Sequence, residues 1–273
     1  MKMKLEGTFA VLMTPFIGDK VDYVTFEKQV KRLSGTDVAG YVVNGSTAEF
    51  IHLSKEEKKK LVEIVANVRD ADKAIIVSAC EPNVPDACEI CEHAKSVNAD
   101  AVLICPPYYF CNTAEEMTRY YREIANHSPL PIILYNIPFF TQELGLDIIA
   151  SLMRHDNVIG IKDSSGNMKR IMHTIHRAKG FDFNVLTGTD DMLFPAFVGG
   201  CAGSMTALAT IYPQTISSIY RLVKNGDLEK AREVQHSILD DLRRADSQTF
   251  PKGYKRLMEE VSKMKFGDKG VIG

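Results

Sequence analysis

Eight short apolar runs recur along this chain, each followed by a stretch of helical periodicity. That alternation constrains the fold more than any single residue does. The runs cover 7–13, 38–43, 74–79, 101–105, 132–135, 158–161, 184–186 and 200–205. Helical patterning falls near 23–33, 55–69, 85–97, 114–126, 146–154, 168–177 and 192–198. Eight β/α repeats in about 200 residues predict an α/β protein, a (β/α)8 TIM barrel. A doubly wound sheet is the competing architecture. It would show a glycine-rich turn after the first strand, where this chain has Met13-Thr14-Pro15-Phe16. Beyond the eighth run the pattern is helical only, over 211–224, 228–244 and 252–264. The expected organisation is a catalytic barrel over 1–208 and a helical extension over 209–273 packed on it, with no Gly/Ser linker between them.

In a barrel of this kind the chemistry gathers where strands end. The sixth run delivers Lys162, followed by Asp163-Ser164-Ser165-Gly166. Burial among apolar side chains disfavours an ammonium ion, and a neutral amine attacks carbonyls to form a Schiff base. The plain alternative is a strand-end lysine pointing into water. The fifth run ends in Tyr135, and one helical stretch separates the two. This βαβ unit sets Tyr135 beside Lys162 on neighbouring parallel strands. A phenol next to an amine can move the protons that imine chemistry requires. Other strand ends supply Thr14, Gly45-Ser46-Thr47-Ala48-Glu49, Pro107-Tyr108-Tyr109, Gly188-Thr189-Asp190-Asp191 and Ser204-Met205. Gly45-Ser46-Thr47 would offer backbone N–H groups and two hydroxyls to a carboxylate, or would simply start a helix. Asp190 and Asp191 read equally as ligand-binding acids or as helix caps.

Composition narrows the function classes. With 45% hydrophobic residues, 25% charged residues and a net charge of -2 over 273 residues, the chain can build one large core. It offers no basic face to nucleic acid and no polybasic membrane patch. The start, Met1-Lys2-Met3-Lys4-Leu5-Glu6, lacks the apolar region of a signal peptide. Six cysteines in apolar segments suggest free thiols in a reducing cytoplasm. Cys88, Cys91 and His93 share one helical pattern without a second ligand pair, so no metal is expected.

Three motifs in order, Gly45-Ser46-Thr47-Ala48-Glu49, Tyr135-Asn136-Ile137-Pro138 and Ile159-Gly160-Ile161-Lys162-Asp163, resemble the dihydrodipicolinate synthase / N-acetylneuraminate lyase family. Thr14-Pro15-Phe16, Pro107-Tyr108-Tyr109 and Gly199-Gly200 extend the resemblance. It implies class I aldolase chemistry without a separate cofactor, with pyruvate held as an imine on Lys162. It also implies Tyr135 as the proton shuttle and Ser46 and Thr47 as carboxylate clamp and relay. Tyr109 would reach the neighbouring subunit's site, in a homodimer or homotetramer.

The family's synthases carry an arginine two residues past the proline, and here that position is Phe140, next to Phe139. Without a cation there, a second substrate carboxylate would be left unpaired. Ser164, Asp190, Asp191 and Ser204 match positions where the family's sugar-acid lyases bind hydroxyls, and Gly188 and Met205 are expected to border the same substrate, while the two phenylalanines also suit an aromatic or short aliphatic aldehyde. Ala48 replaces a glycine common in the family's turn, and the tail after Lys265 stops earlier than the resemblance leads one to expect, which would trim the helical extension. The expected function is therefore a pyruvate-dependent aldolase or lyase acting on a 2-oxo-acid and an aldehyde. A 2-keto-3-deoxy sugar acid or an N-acetylneuraminate-like compound is the leading substrate. Dihydrodipicolinate synthase itself is the alternative, and a non-catalytic oxo-acid-binding paralogue is the reading from another class.

Overall fold

The computed structural model describes residue 3 and residues 5–267. Its strands are β1 (Gly7–Val11), β2 (Phe16–Ile17), β3 (Lys20–Val21), β4 (Gly40–Val43), β5 (Ala74–Ser78), β6 (Ala101–Ile104), β7 (Ile132–Asn136), β8 (Val158–Asp163), β9 (Asn184–Thr187) and β10 (Gly203–Thr206). Its helices are α1 (Tyr23–Arg32), α2 (Lys55–Val68), α3 (Val84–Ser96), α4 (Ala114–His127), α5 (Leu146–Leu152), α6 (Met168–Ala178), α7 (Leu193–Val198), α8 (Leu208–Ile211), α9 (Pro213–Lys224), α10 (Leu228–Ser237), α11 (Leu239–Asp246) and α12 (Lys252–Ser262). The tail end of the predicted extension, 268–273, and residues 1, 2 and 4 of the start lie outside the described residues.

Eight strands close into a parallel barrel in the order β1-β10-β9-β8-β7-β6-β5-β4, with β4 returning to β1. This is the (β/α)8 barrel that the alternation predicts. Side chains pointing inward, among them Phe9, Val42, Ile76, Leu103, Ile133 and Met205, fill the interior. Side chains pointing outward, such as Leu12, Val43, Val77 and Ile161, pack under the helices. Both faces of each strand are thus buried, which is why the strands read as continuous apolar runs. Five helices, α1 to α4 and α6, start where the side chain of Asp22, Ser54, Asn83, Thr113 or Asn167 accepts from a first-turn N–H group. Ser54 and Thr113 each form a reciprocal capping box, with Glu57 and Glu116.

Several boundaries differ from the sequence expectation. The sixth barrel strand does not stop at Ile161. It continues through Asp163, because Lys162 pairs with Tyr135 on one side and Leu186 on the other. The eighth begins at Gly203, after Gly200 turns the chain with a φ of 102°. The hairpin β2–β3 and the short α8 have no counterpart in the apolar pattern. The stretch 228–244 is two helices, not one. At the junction Ser237 donates to the carbonyl of Val234, a local bond that competes with the helical ladder, and Ile238 sits buried at the bend. After the barrel, α9 packs on β1, α7 and α8, and α10 to α12 lead the chain back toward the open end of the barrel.

Candidate active site

Lys162 and Tyr135 are register partners on β8 and β7. The Lys162 Nζ lies 4.4 Å from the centre of the Tyr135 ring, and only 4% of the lysine is exposed. The lysine therefore points inward, and the solvent-facing alternative is ruled out. Space for it depends on Gly188, just past β9. A Cβ added there would meet Lys162 Cε at 2.7 Å and Ser164 Oγ at 1.9 Å. The Ser164 hydroxyl is buried beside the amine without a hydrogen-bond partner among the described residues.

Ser46 and Thr47 sit in a short 3-10 turn, Ser46–Ala48, directly after β4. Such a turn leaves its first N–H groups without partners inside the turn, so they are available to an anion. The Ser46 Oγ is 3.5 Å from the Tyr135 Oη. Ala48 fits this turn without strain. The left-handed conformation falls instead on Glu49, with φ of 56°. Glu49 is held there by an ion pair with Lys255 of α12, which also donates to the Gly267 carbonyl and lies 4.5 Å over the Phe16 ring.

Above Tyr135 opens a cavity of about 910 Å³. Ser46, Tyr109, Tyr135 and Phe140 line it. Tyr109 stands at the lip, 91% exposed, edge-on to Phe110 with centroids 4.9 Å apart.

Lys162, Thr47, Ser164 and Gly188 are not on this lining, whose nearest contact with the lysine is Tyr135, and several other candidates are outside it as well. Ser204 is fully buried on the outer face of β10, where its hydroxyl donates to the Thr8 Oγ1 at 3.5 Å. Its neighbour Met205 points inward but is packed in the barrel interior, paired in register with Phe9. Asp190 is buried and accepts from the Leu208 N–H at 3.4 Å. Burial pushes its carboxyl up to about 7, against the opposing pull of the Thr206 hydroxyl, the Leu208 N–H and the Lys162 charge, with Asp191 adding to the rise. Asp191 is raised less, chiefly by partial burial. The two acids lie in a 3-10 turn, Asp190–Met192, ahead of α7. Cys88, Cys91 and His93 all fall on α3, where His93 faces Glu63 at 3.4 Å.

Two groups of residues escaped the sequence reading. Behind the Lys162–Tyr135 pair, Asp163 accepts from Asn136 Nδ2 at 3.0 Å, Arg170 Nε at 2.9 Å and the Ser165 N–H at 2.9 Å. Asn136 also accepts from the Leu144 N–H. This brace locks the ends of β7 and β8 together, so both side chains in front of it are fixed. Asn136 and Asp163 each directly follow a reactive residue in the sequence, which is the signal that could have found them. The second group is Thr249, Phe250, Pro251 and Lys252, which line the cavity from the segment leading into α12. No local pattern announces them.

A (β/α)8 barrel with a buried lysine at a strand end, a phenol against it and a hydroxyl-bearing turn opposite defines a carbon–carbon lyase of the class I aldolase type. Residues 4–265 match the model of the dihydrodipicolinate synthetase family, and the chain belongs to that family. It is 31% identical over 248 residues to the 4-hydroxy-tetrahydrodipicolinate synthase of Methanothrix thermoacetophila, covering 90% of this chain and 83% of that one. Among solved structures it superposes on a dihydrodipicolinate synthase at 29% identity and a TM-score of 0.92, covering 98% of this chain and 93% of the other. It also resembles the chloride-inhibited dihydrodipicolinate synthase from Acinetobacter baumannii complexed with pyruvate. That match has 27% identity, a TM-score of 0.92 and coverage of 97% and 91%. No described helix is long and apolar enough to cross a membrane.

Proposed function

We propose that the protein binds pyruvate as an imine on Lys162 and makes or breaks the bond between pyruvate C3 and an aldehyde carbon. The observation that carries this reading is the enclosed Lys162 amine against the Tyr135 ring. The amine adds to the C2 carbonyl of pyruvate, and the carbinolamine loses water to give the imine. Loss of a C3 proton gives the enamine, whose C3 attacks the aldehyde carbon while the aldehyde oxygen takes up a proton. Water then hydrolyses the imine, releasing a 4-hydroxy-2-oxo-acid and the free lysine. Cleavage is the reverse. Tyr135 carries the protons, relayed through Ser46 and Thr47, whose hydroxyls and N–H groups hold the pyruvate carboxylate.

Six free cysteines agree with a cytoplasmic setting. The exposed Tyr109–Phe110 pair agrees with a homodimer or homotetramer in which Tyr109 meets the neighbouring subunit. The names of the relatives favour 4-hydroxy-tetrahydrodipicolinate synthase as a second reading. The sugar-acid reading loses support at two positions, since Ser204 donates to the Thr8 hydroxyl and Asp190 accepts from the Leu208 N–H. Borohydride reduction with pyruvate followed by peptide mapping tests the shared step. A fixed mass on Lys162 is expected, and label on another lysine, or none on the folded protein, would refute the imine and favour the non-catalytic binder.

A further inference from the structure

We propose that the aldehyde half of this site accepts a partner with an apolar body, an aromatic or branched aliphatic aldehyde, and that Phe140 and Phe250 select it. This rests on the pyruvate-imine reading above. Three kinds of aldehyde are open to such an enzyme: one bearing a second carboxylate, one bearing hydroxyls and one bearing hydrocarbon. Each needs a different wall.

A carboxylate needs a cation close to the point of attack. At the position beyond Pro138 the wall is the Phe140 ring, 54% exposed into the opening. The acid on the lining, Glu49, would repel a carboxylate and is itself held by Lys255. A polyol needs donors and acceptors, yet Asp190 is directed to the Leu208 N–H and Ser204 to the Thr8 hydroxyl. What faces the cavity is mostly hydrocarbon, with the hydroxyls of Thr141 and Thr249 among the few polar groups near its mouth. The Phe140 and Phe250 rings lie 5.4 Å apart, tilted by 43°, and Phe250 stacks edge-on against Tyr254 at 5.8 Å. Across the opening Phe50 meets Tyr108 edge-on at 6.2 Å.

The Phe250 wall is pre-organised, because α12 is fixed at its start. Lys255 is buried against Glu49 and Phe16. Two residues earlier, Gly253 lies so close to α11 that an added Cβ would meet the Ala245 carbonyl oxygen at 2.0 Å. Two rings held in place at a cavity mouth bind a flat or branched hydrocarbon without an ordering penalty. Lys252 and His52 are the basic residues on the described lining, and Lys252 is the group that would serve a carboxylate instead.

The test uses the full chain and pyruvate with four aldehydes: benzaldehyde, 2-methylpropanal, glyceraldehyde and aspartate semialdehyde. The variants are Phe250→Ala, Phe250→Leu, Phe140→Arg and Lys252→Met. Benzaldehyde and 2-methylpropanal should exceed the other two by about 10-fold or more in kcat/KM, the discrimination that burying an apolar group provides. Phe250→Ala should lose about 10-fold on benzaldehyde, Phe250→Leu should recover part of it, and borohydride trapping of pyruvate should be unchanged in both. Phe140→Arg should shift preference toward the semialdehyde. Trapping with no turnover of the apolar aldehydes overturns this inference alone. So does a preference for the semialdehyde that disappears in Lys252→Met, or a preference for glyceraldehyde. Failure of trapping removes the imine reading and this one together.

Discussion

Replacing Lys255 with methionine isolates how the C-terminal helices support the site. The Lys255 and Glu49 side chains are 3% and 9% exposed, so each charge depends on the other. Lys255→Met keeps most of the packing volume but leaves the Glu49 carboxylate without its counter-ion. Breaking a buried pair by removing one partner costs about 3–5 kcal/mol. Glu49 borders the cavity and can turn toward water, which places the expectation at the lower end, about 3 kcal/mol. For a domain of this size each kcal/mol lowers Tm by about 2–4 °C, so a fall of roughly 6–12 °C is expected.

The same change should reach pyruvate. Glu49 joins the 3-10 turn holding Ser46 and Thr47 to the next one, Phe50–His52, through its left-handed backbone. A displacement of about 1 Å in a positioning group can lower rates by about 100-fold. The pyruvate concentration giving half-maximal borohydride trapping should therefore rise in Lys255→Met, and Lys255→Arg should restore much of it. Urea denaturation and trapping titrations of Lys255→Met, Glu49→Gln and the double variant decide the matter. A double variant more stable than Lys255→Met supports the pair. If Lys255→Met loses less than about 1 kcal/mol and titrates like the parent, α12 does not support the clamp and the reasoning fails.

Tyr135→Phe removes a proton-transfer group and should lower turnover by roughly 100- to 10,000-fold with the fold intact; activity within a few-fold of the parent would make Tyr135 a packing residue. Gly188→Ala forces a methyl against Lys162 Cε and Ser164 Oγ, so pyruvate trapping should fall sharply while circular dichroism stays native; trapping at the parental rate would show that the amine has room to spare. Asp190 holds its proton up to about 7 in the folded protein, whereas the unfolded carboxyl releases it near 3.8. The folded state binds the extra proton between these values, so this group's contribution falls as pH rises from about 4 to about 7 and is level above. Asp190→Asn should flatten that slope in urea midpoints measured from pH 4 to 8, and an unchanged slope would assign it to another group.

The sequence by itself determined the eight strands of the barrel, their closure and the Lys162–Tyr135 pair, but not the β2–β3 hairpin. Each of these rests on local signals: apolar runs of strand length, helical periodicity, and a short βαβ unit that leaves its two strands little choice but to lie side by side. It could not say which way Ser204 and Met205 point. Barrel strands are buried on both faces, so their pattern carries no inside-versus-outside alternation from which to read direction. Nor could it join Phe250 to Phe140, or Lys255 to Glu49, because those contacts cross long stretches of chain and exist only once α12 has packed against the barrel. Tertiary structure decided them through burial: a charge or a ring that leaves water must find a partner, and the closed barrel sets which partners are within reach.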